Sequence, residues 1–211
     1  EADLMGEMIY SSSYYVPFEE AGNLPELGTK ADLDRDPKSS VAKAAPEILE
    51  IEAPIPEDRL VSLVAQRFGI SRLYSKRIET IRACFDLIPG IQKTNDDTGS
   101  YLWSSERSPT TWKNYRMTPE GHPRDLWPTR KGTVSISREE IRNAMVDIVR
   151  IAHGAYSEEL IRRTAQLFGR QVLRNDVEKR LRSVLDWASS EAVGSLLLDG
   201  EQYQIPLPDE T

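Results

Sequence analysis

Cysteine is nearly absent. Cys84 is the only one in 211 residues, so the chain can form no internal disulfide and no cysteine zinc site. Histidine is almost as scarce: His122 and His153 stand far apart, so no His/Cys metal cluster can be assembled, although carboxylate sites stay open. No apolar run approaches the roughly 20 residues of a membrane span, so no membrane partner is expected. No secretory signal is visible, which leads us to expect a cytoplasmic protein, and residue 1 is Glu, which suggests a fragment of something larger. Excess positive charge is missing too. A net charge of −7 ordinarily argues against a nucleic-acid partner.

That average conceals an asymmetry. Residues 1–58 hold 14 acidic and 4 basic side chains, a net of −10, and residues 59–182 hold 14 acidic and 23 basic, a net of +9. The last 29 residues hold 6 acidic and no basic ones. The middle of the chain is basic and both ends are acidic.

The basic middle contains a repeat. Ala65-Gln66-Arg67-Phe68-Gly69 returns one hundred positions later as Ala165-Gln166-Leu167-Phe168-Gly169. Apolar residues keep the same register on either side: Val41, Ala44, Ile48 and Leu60 match Ile141, Ala144, Ile148 and Leu160, and Ile81 and Phe85 match Leu181 and Leu185. Most surface positions of the last helix in each copy differ. One supersecondary unit has been duplicated.

Each copy reads as three helices followed by a hairpin. In the second copy, helix 1 is expected over 138–151, with Ser137 as N-cap and Glu140 completing a capping box. Helix 2 starts at Ser157 and stops at Gly169, helix 3 covers 173–189, and strands at 195–198 and 202–205 flank Asp199-Gly200, a tight-turn signal. The first copy follows with helices over 57–68 and 73–88 and strands over 91–94 and 100–103. Its first helix contains Pro46, which should kink, shorten or break it. Four segments follow: an acidic arm or linker over 1–38, repeat 1 over 39–104, a Pro-rich connector over 105–135 and repeat 2 over 136–211. In the arm, Tyr10, Tyr14, Tyr15, Val16 and Phe18 could dock on a domain. Trp112, Tyr115 and Trp127 would anchor the connector, which is expected to wrap across both units.

The expected fold class is therefore mainly α with small β-hairpins (α+β), as tandem winged-helix, helix-turn-helix-like repeats. In such a unit the outer face of helix 3 and the hairpin wing can carry cations that neutralise phosphates. The candidates are Arg72, Lys76, Arg77 and Lys93 in the first copy, and Arg170, Arg174, Lys179 and Arg180 in the second. An ordinary solvated helix face would also carry such residues.

Certain segments resemble a known family. Ile136-Ser137-Arg138-Glu139-Glu140-Ile141, Ser157-Glu158-Glu159-Leu160-Ile161-Arg162-Arg163-Thr164-Ala165 and Leu167-Phe168-Gly169, with Glu52-Ala53-Pro54-Ile55 and Tyr101-Leu102-Trp103, are similar to the domain of unknown function 3320. That domain lies at the C-terminal end of large bacterial superfamily 1 helicase-like proteins. The similarity spans roughly residues 41–190, and Pro46 departs from the family's continuous first helix. The resemblance implies an accessory module of a protein bearing an ATPase motor and often a nuclease domain. The motor and nuclease motifs themselves are absent from this sequence.

No catalytic constellation stands out. Gly22 to Lys30 approaches a phosphate loop but is one residue too long, with Thr before Lys. His153 reads as a helix-end cap, His122 as an exposed connector residue, Cys84 as a packed core thiol and Asp96-Asp97 as turn solvation. The expectation is a non-enzymatic module without cofactor or metal. Its partners would be duplex or forked DNA and the ATPase/helicase domains of the same polypeptide. The alternative is a protein-protein interaction module that docks or regulates those domains, with the acidic arm masking the basic face.

Overall fold

The computed structural model describes residues 10–20, 25–119, 124–127 and 134–207. His122 and part of the Gly22–Lys30 loop lie outside them. In chain order the elements are β1 (Ser11–Tyr14), a 3-10 turn (Phe18–Glu20), α1 (Lys30–Arg35), α2 (Pro37–Glu52), β2 (Ile55–Pro56), α3 (Glu57–Gln66), α4 (Ser75–Phe85), β3 (Gln92–Asp96), β4 (Gly99–Trp103), β5 (Asn114–Met117), β6 (Arg124–Asp125) and β7 (Val134–Ser135). Then come α5 (Arg138–Ala152), β8 (Ala155–Tyr156), α6 (Ser157–Leu167), α7 (Asn175–Ala188), β9 (Leu197–Asp199) and β10 (Gln202–Gln204). The fold is mixed α and β, with helices dominant and small sheets. It divides into a first unit, Val16–Trp112, and a second unit, Lys113–Thr211 together with Glu1–Tyr15.

The hundred-residue echo extends to the secondary structure. The order helix, short strand, helix, helix, hairpin runs through α2, β2, α3, α4, β3 and β4, and again through α5, β8, α6, α7, β9 and β10. In each unit the short strand joins the hairpin, giving antiparallel sheets ordered β2-β4-β3 and β8-β10-β9. That third strand was not expected from sequence. Two residues are too few to show an alternating pattern.

The repeated Ala-Gln-x-Phe-Gly segment is a helix stop. Ile70 N–H donates to Ala65 O at 3.1 Å and Gly69 N–H to Gln66 O at 3.0 Å; Arg170 and Gly169 repeat both bonds at 2.9 and 3.0 Å. These bonds satisfy the last carbonyls of α3 and α6 and require a left-handed residue, which Gly69 and Gly169 supply at φ +68° and +77°. Phe68 and Phe168 turn into their cores as the helices end.

Each unit has its own apolar core. In the first, Val41, Ala44, Ile48 and Leu49 of α2 meet Leu60 and Val64 of α3, Ile81 and Phe85 of α4, and Leu102 of β4. In the second, Ile141, Met145 and Val149 of α5 meet Leu160 and Ile161 of α6 and Leu181 and Leu185 of α7. Each buried Val, Leu, Ile, Met or Phe among these contributes about 1.5–3 kcal/mol, and Ala44 less.

Several expectations need correction. Pro46 does not break the first helix: α2 runs 16 residues through it. Its ring faces solvent, and the flanking Ala44, Ala45, Ile48 and Leu49 are buried on the opposite side, which offsets the lost bond to the Ala42 carbonyl. Residues 16–20 and 25–38, read from sequence as part of an arm or linker, contribute to the first unit. Phe18 and Leu33 belong to the first core, and α1 starts with a capping box in which Thr29 and Asp32 bond reciprocally. Upstream, β1 pairs in parallel with β5, and Tyr15 is buried. The connector residues are likewise built into units: Trp112 stacks edge-on against Trp103 at 5.7 Å in the first, and Tyr115 and Trp127 join the second core.

The hairpin after β9 has a two-residue loop. Gly200 takes its first position at φ +62°, and Glu201 stays outside the left-handed region, as a type II′ turn requires. His153 ends α5 through its backbone, in a left-handed conformation with its N–H on Val149 O. Cys84 is buried, and its Sγ–H donates to Thr80 O at 3.2 Å. Asp96 closes its own turn, accepting from the Thr98 amide at 2.8 Å.

Candidate nucleic-acid interface

The eight basic candidates meet very different surroundings. Arg72 precedes α4, and Lys76 lies in its first turn. Both are exposed, and neither has an ion-pair partner among the described residues. The exposed ring of Tyr74 stands between them in sequence. Arg77 is also on α4, but its Nε and Nη2 grip both carboxylate oxygens of Asp34 in α1 at 2.9–3.1 Å. Leu33, Asp34, Pro37, Tyr74, Lys76, Arg77, Thr80 and Ile81 line a groove between these helices. On the hairpin, Lys93 Nζ donates to Glu57 at 2.7 Å.

The second unit offers less. Arg170 is paired with Asp125, and Arg174 reaches Asp176 at 3.4 Å. Lys179 is exposed, without an ion-pair partner among the described residues. Arg180 is only 2% exposed, and its Nη2 donates to Ile136 O at 2.6 Å. Helical spacing put Arg180 on the outer face. The structure turns it inward, where it supports the strand-to-helix turn before α5. Its place among surface contacts is withdrawn.

Arg82 and Arg182, which stand at matching positions of the repeat, hold equivalent carboxylates in the two units. Arg82 pairs with Asp58 and, at 3.5 Å, with Glu57; Arg182 pairs with Glu158 at 2.6 Å and Glu178 at 2.7 Å. In both units the third helix thus ties down the acidic first turn of the second. The Glu158 and Glu178 hydrogen bonds hold the Arg182 guanidinium above its ordinary range. The matching Arg82 and Arg182 in the repeat were the signal for this structural clamp.

A buried ionic cluster lies in the second unit around Glu140. This residue was expected to complete a capping box on Ser137. Ser137 does accept from the Glu140 amide at 3.3 Å, but the carboxylate points elsewhere. It accepts from the Arg116 backbone N–H at 3.1 Å, Nε at 2.9 Å and Nη2 at 2.8 Å, and from Arg124 Nη2. Arg116 and Arg124 lie over the Tyr15 ring at 5.3 and 4.6 Å. Burial alone would raise the Glu140 pKa. The two guanidinium groups outweigh it and hold the carboxyl below its ordinary range. The cluster fastens β1, β5 and β6 to α5 and, being buried, is structural.

Nearby, the Tyr115 hydroxyl donates to Asp147 at 2.8 Å. Burial and this hydrogen bond to a carboxylate push Tyr115 up to about 12. Among the described residues, no group of three or more His, Cys, Asp or Glu could hold a metal ion, and no helix is long and apolar enough to cross a membrane.

Comparison with known proteins adds one finding. A family model described as "Protein of unknown function (DUF3320)" matches residues 33–78, from α1 to the first turn of α4. The match falls on the first unit, whereas most segments carrying the resemblance lie in the second. No curated protein matches the chain, and no solved structure does.

Proposed function

We propose that the chain is a non-catalytic binding module of two winged helices, and that its first unit contacts the backbone of duplex or forked DNA through the start of α4. The sheet orders support the winged-helix reading: a short strand before the second helix pairs with the last strand of the hairpin, as a wing requires. The observation that carries the DNA reading is the pair Arg72 and Lys76, just before and in the first turn of the third helix, both exposed and without carboxylate partners among the described residues. In helix-turn-helix relatives that turn approaches the groove. Arg77 belongs to the same surface but spends its fork on Asp34, so an acidic segment masks part of the basic face in cis.

Among the described residues the second unit has no equivalent pair at these positions. The positions matching Arg72 and Lys76 are Val172 and Asp176, and its wing carries Asp199 and Glu201. Winged helices also bind proteins, and that alternative suits the second unit. The sequence resemblance supports an accessory role beside a helicase-like motor as the setting of such a module, and the DUF3320 match over residues 33–78 is compatible with it.

Fluorescence anisotropy with labelled duplex and fork at low salt tests the reading. Arg72→Ala/Lys76→Ala should weaken binding, Lys179→Ala should leave it unchanged, and Asp34→Asn should tighten it by releasing Arg77. Wild-type protein that binds neither substrate would defeat the proposal.

A further inference from the structure

The two wings have the same pairing but opposite chemistry. Across β3 and β4, Lys93 faces Leu102 and Gln92 faces Trp103; across β9 and β10, Leu198 faces Tyr203 and Leu197 faces Gln204. Leu102 and Tyr203 are equivalent, since each also pairs with the short strand, at Ile55 and Ala155. Leu198 therefore replaces Lys93, and Leu197 replaces Gln92. Among the described residues, both β3 and β9 are edge strands with one unpaired side.

The first edge is entirely polar, Gln92-Lys93-Thr94-Asn95-Asp96, and a lysine on an edge is a common guard against unwanted pairing. Its sheet is also covered: Trp103 is fully buried, with Trp112 against it. The second edge has neither protection. Leu197 and Leu198 are 55% and 53% exposed, and Tyr156 at the other side of the sheet is equally open. The stretch that carries this edge has charge of one sign: residues 183–211 contain no Lys or Arg, Asp199 ends β9 and Glu201 lies in the turn.

We infer that β9 is a docking edge for an extended segment of a partner protein that alternates basic and apolar residues. Such a segment adds a fourth strand to β8-β10-β9 by main-chain pairing. Adjacent residues of a strand point to opposite faces, so its apolar side chains cover Leu198 on one face, while its cations lie beside Leu197 and Asp199 on the other. Charge disfavours a second copy of this chain, because pairing would bring together two stretches that both carry acidic residues and no Lys or Arg. This gives the protein-docking alternative a specific surface, and it stands or falls separately from DNA contact at α4.

The test is a titration of the whole chain with a fluorescein-labelled peptide of alternating Lys and Val, seven residues long, and with its Glu-Val counterpart. The Lys-Val peptide should bind and shift the amide resonances of residues 195–204. Leu197→Gln/Leu198→Gln should weaken it at least tenfold with an unchanged circular dichroism spectrum and unchanged DNA affinity. Asp199→Asn/Glu201→Gln should weaken it several-fold. Absence of binding, equal binding of the Glu-Val peptide, or full binding by the Leu variant would overturn the inference. So would a dimer in sedimentation that the Leu variant dissolves, because the occupant would then be a second copy.

Discussion

Replacing Glu140 with Gln should be among the most damaging single changes in the second unit. The substitution keeps the shape of the side chain and removes its charge. Arg116 and Arg124, 7% and 1% exposed at the side chain, then lose the carboxylate they share while remaining beside each other. Removing one member of a buried ionic cluster costs about 3–5 kcal/mol. A domain's whole stability is on the order of 5–15 kcal/mol, so the second unit would come close to unfolding. Native-state hydrogen exchange at the amides of α5 and β5 measures this within that unit. A loss below about 1 kcal/mol, the scale of an exposed ion pair, would refute the reasoning. Acid provides a second reading. The Glu140 pKa is depressed in the folded state, so its stabilisation is full above the unfolded value of about 4.3 and is lost as pH falls through the lower folded value. The gap between wild type and Glu140→Gln should close over that range.

Other perturbations follow from local geometry. Pro46→Ala should stabilise the first unit by about 1–3 kcal/mol by restoring an N–H to α2, less the entropy Pro removes from the unfolded chain; slower exchange in α2 would show it. Gly69→Ala should cost about 1–2 kcal/mol for its left-handed backbone, since its Cβ would meet nothing nearer than Glu26 at 3.6 Å. Gly169→Ala should cost more in the same exchange measurement, because its Cβ would meet the Thr118 carbonyl oxygen at 2.7 Å. Tyr115 has a raised pKa, so its contribution is full below pH ~10 and fades as pH rises through about 12; Tyr115→Phe should remove that part of the alkaline loss in a denaturation series.

The apolar register at one hundred residues located both cores, because core positions are set by helix geometry and survive surface divergence. The Phe-Gly stops and Asp199-Gly200 were legible for the same reason: they encode backbone conformations few other residues adopt. What the sequence hid was partnership across distance. Nothing near Glu140 announces Arg116 and Arg124, which lie 24 and 16 residues away. Helical spacing alone could not tell that Arg180 points inward, nor that Asp34 holds Arg77. Phe18 and Leu33 were read as part of an arm because single buried anchors leave no periodicity. The candidate surface consequently narrowed from eight cations to the two at the start of α4, with Arg77 held in reserve.

The salt dependence of DNA affinity tests that surface most directly. Each phosphate contact contributes about 0.9 to the slope of log affinity against log salt concentration. Arg72→Ala/Lys76→Ala should lower the magnitude of this slope by about 1.8, and Arg174→Ala/Lys179→Ala should leave it unchanged. An unchanged slope in the first variant, or an equal loss in the second, would contradict DNA contact at the start of α4.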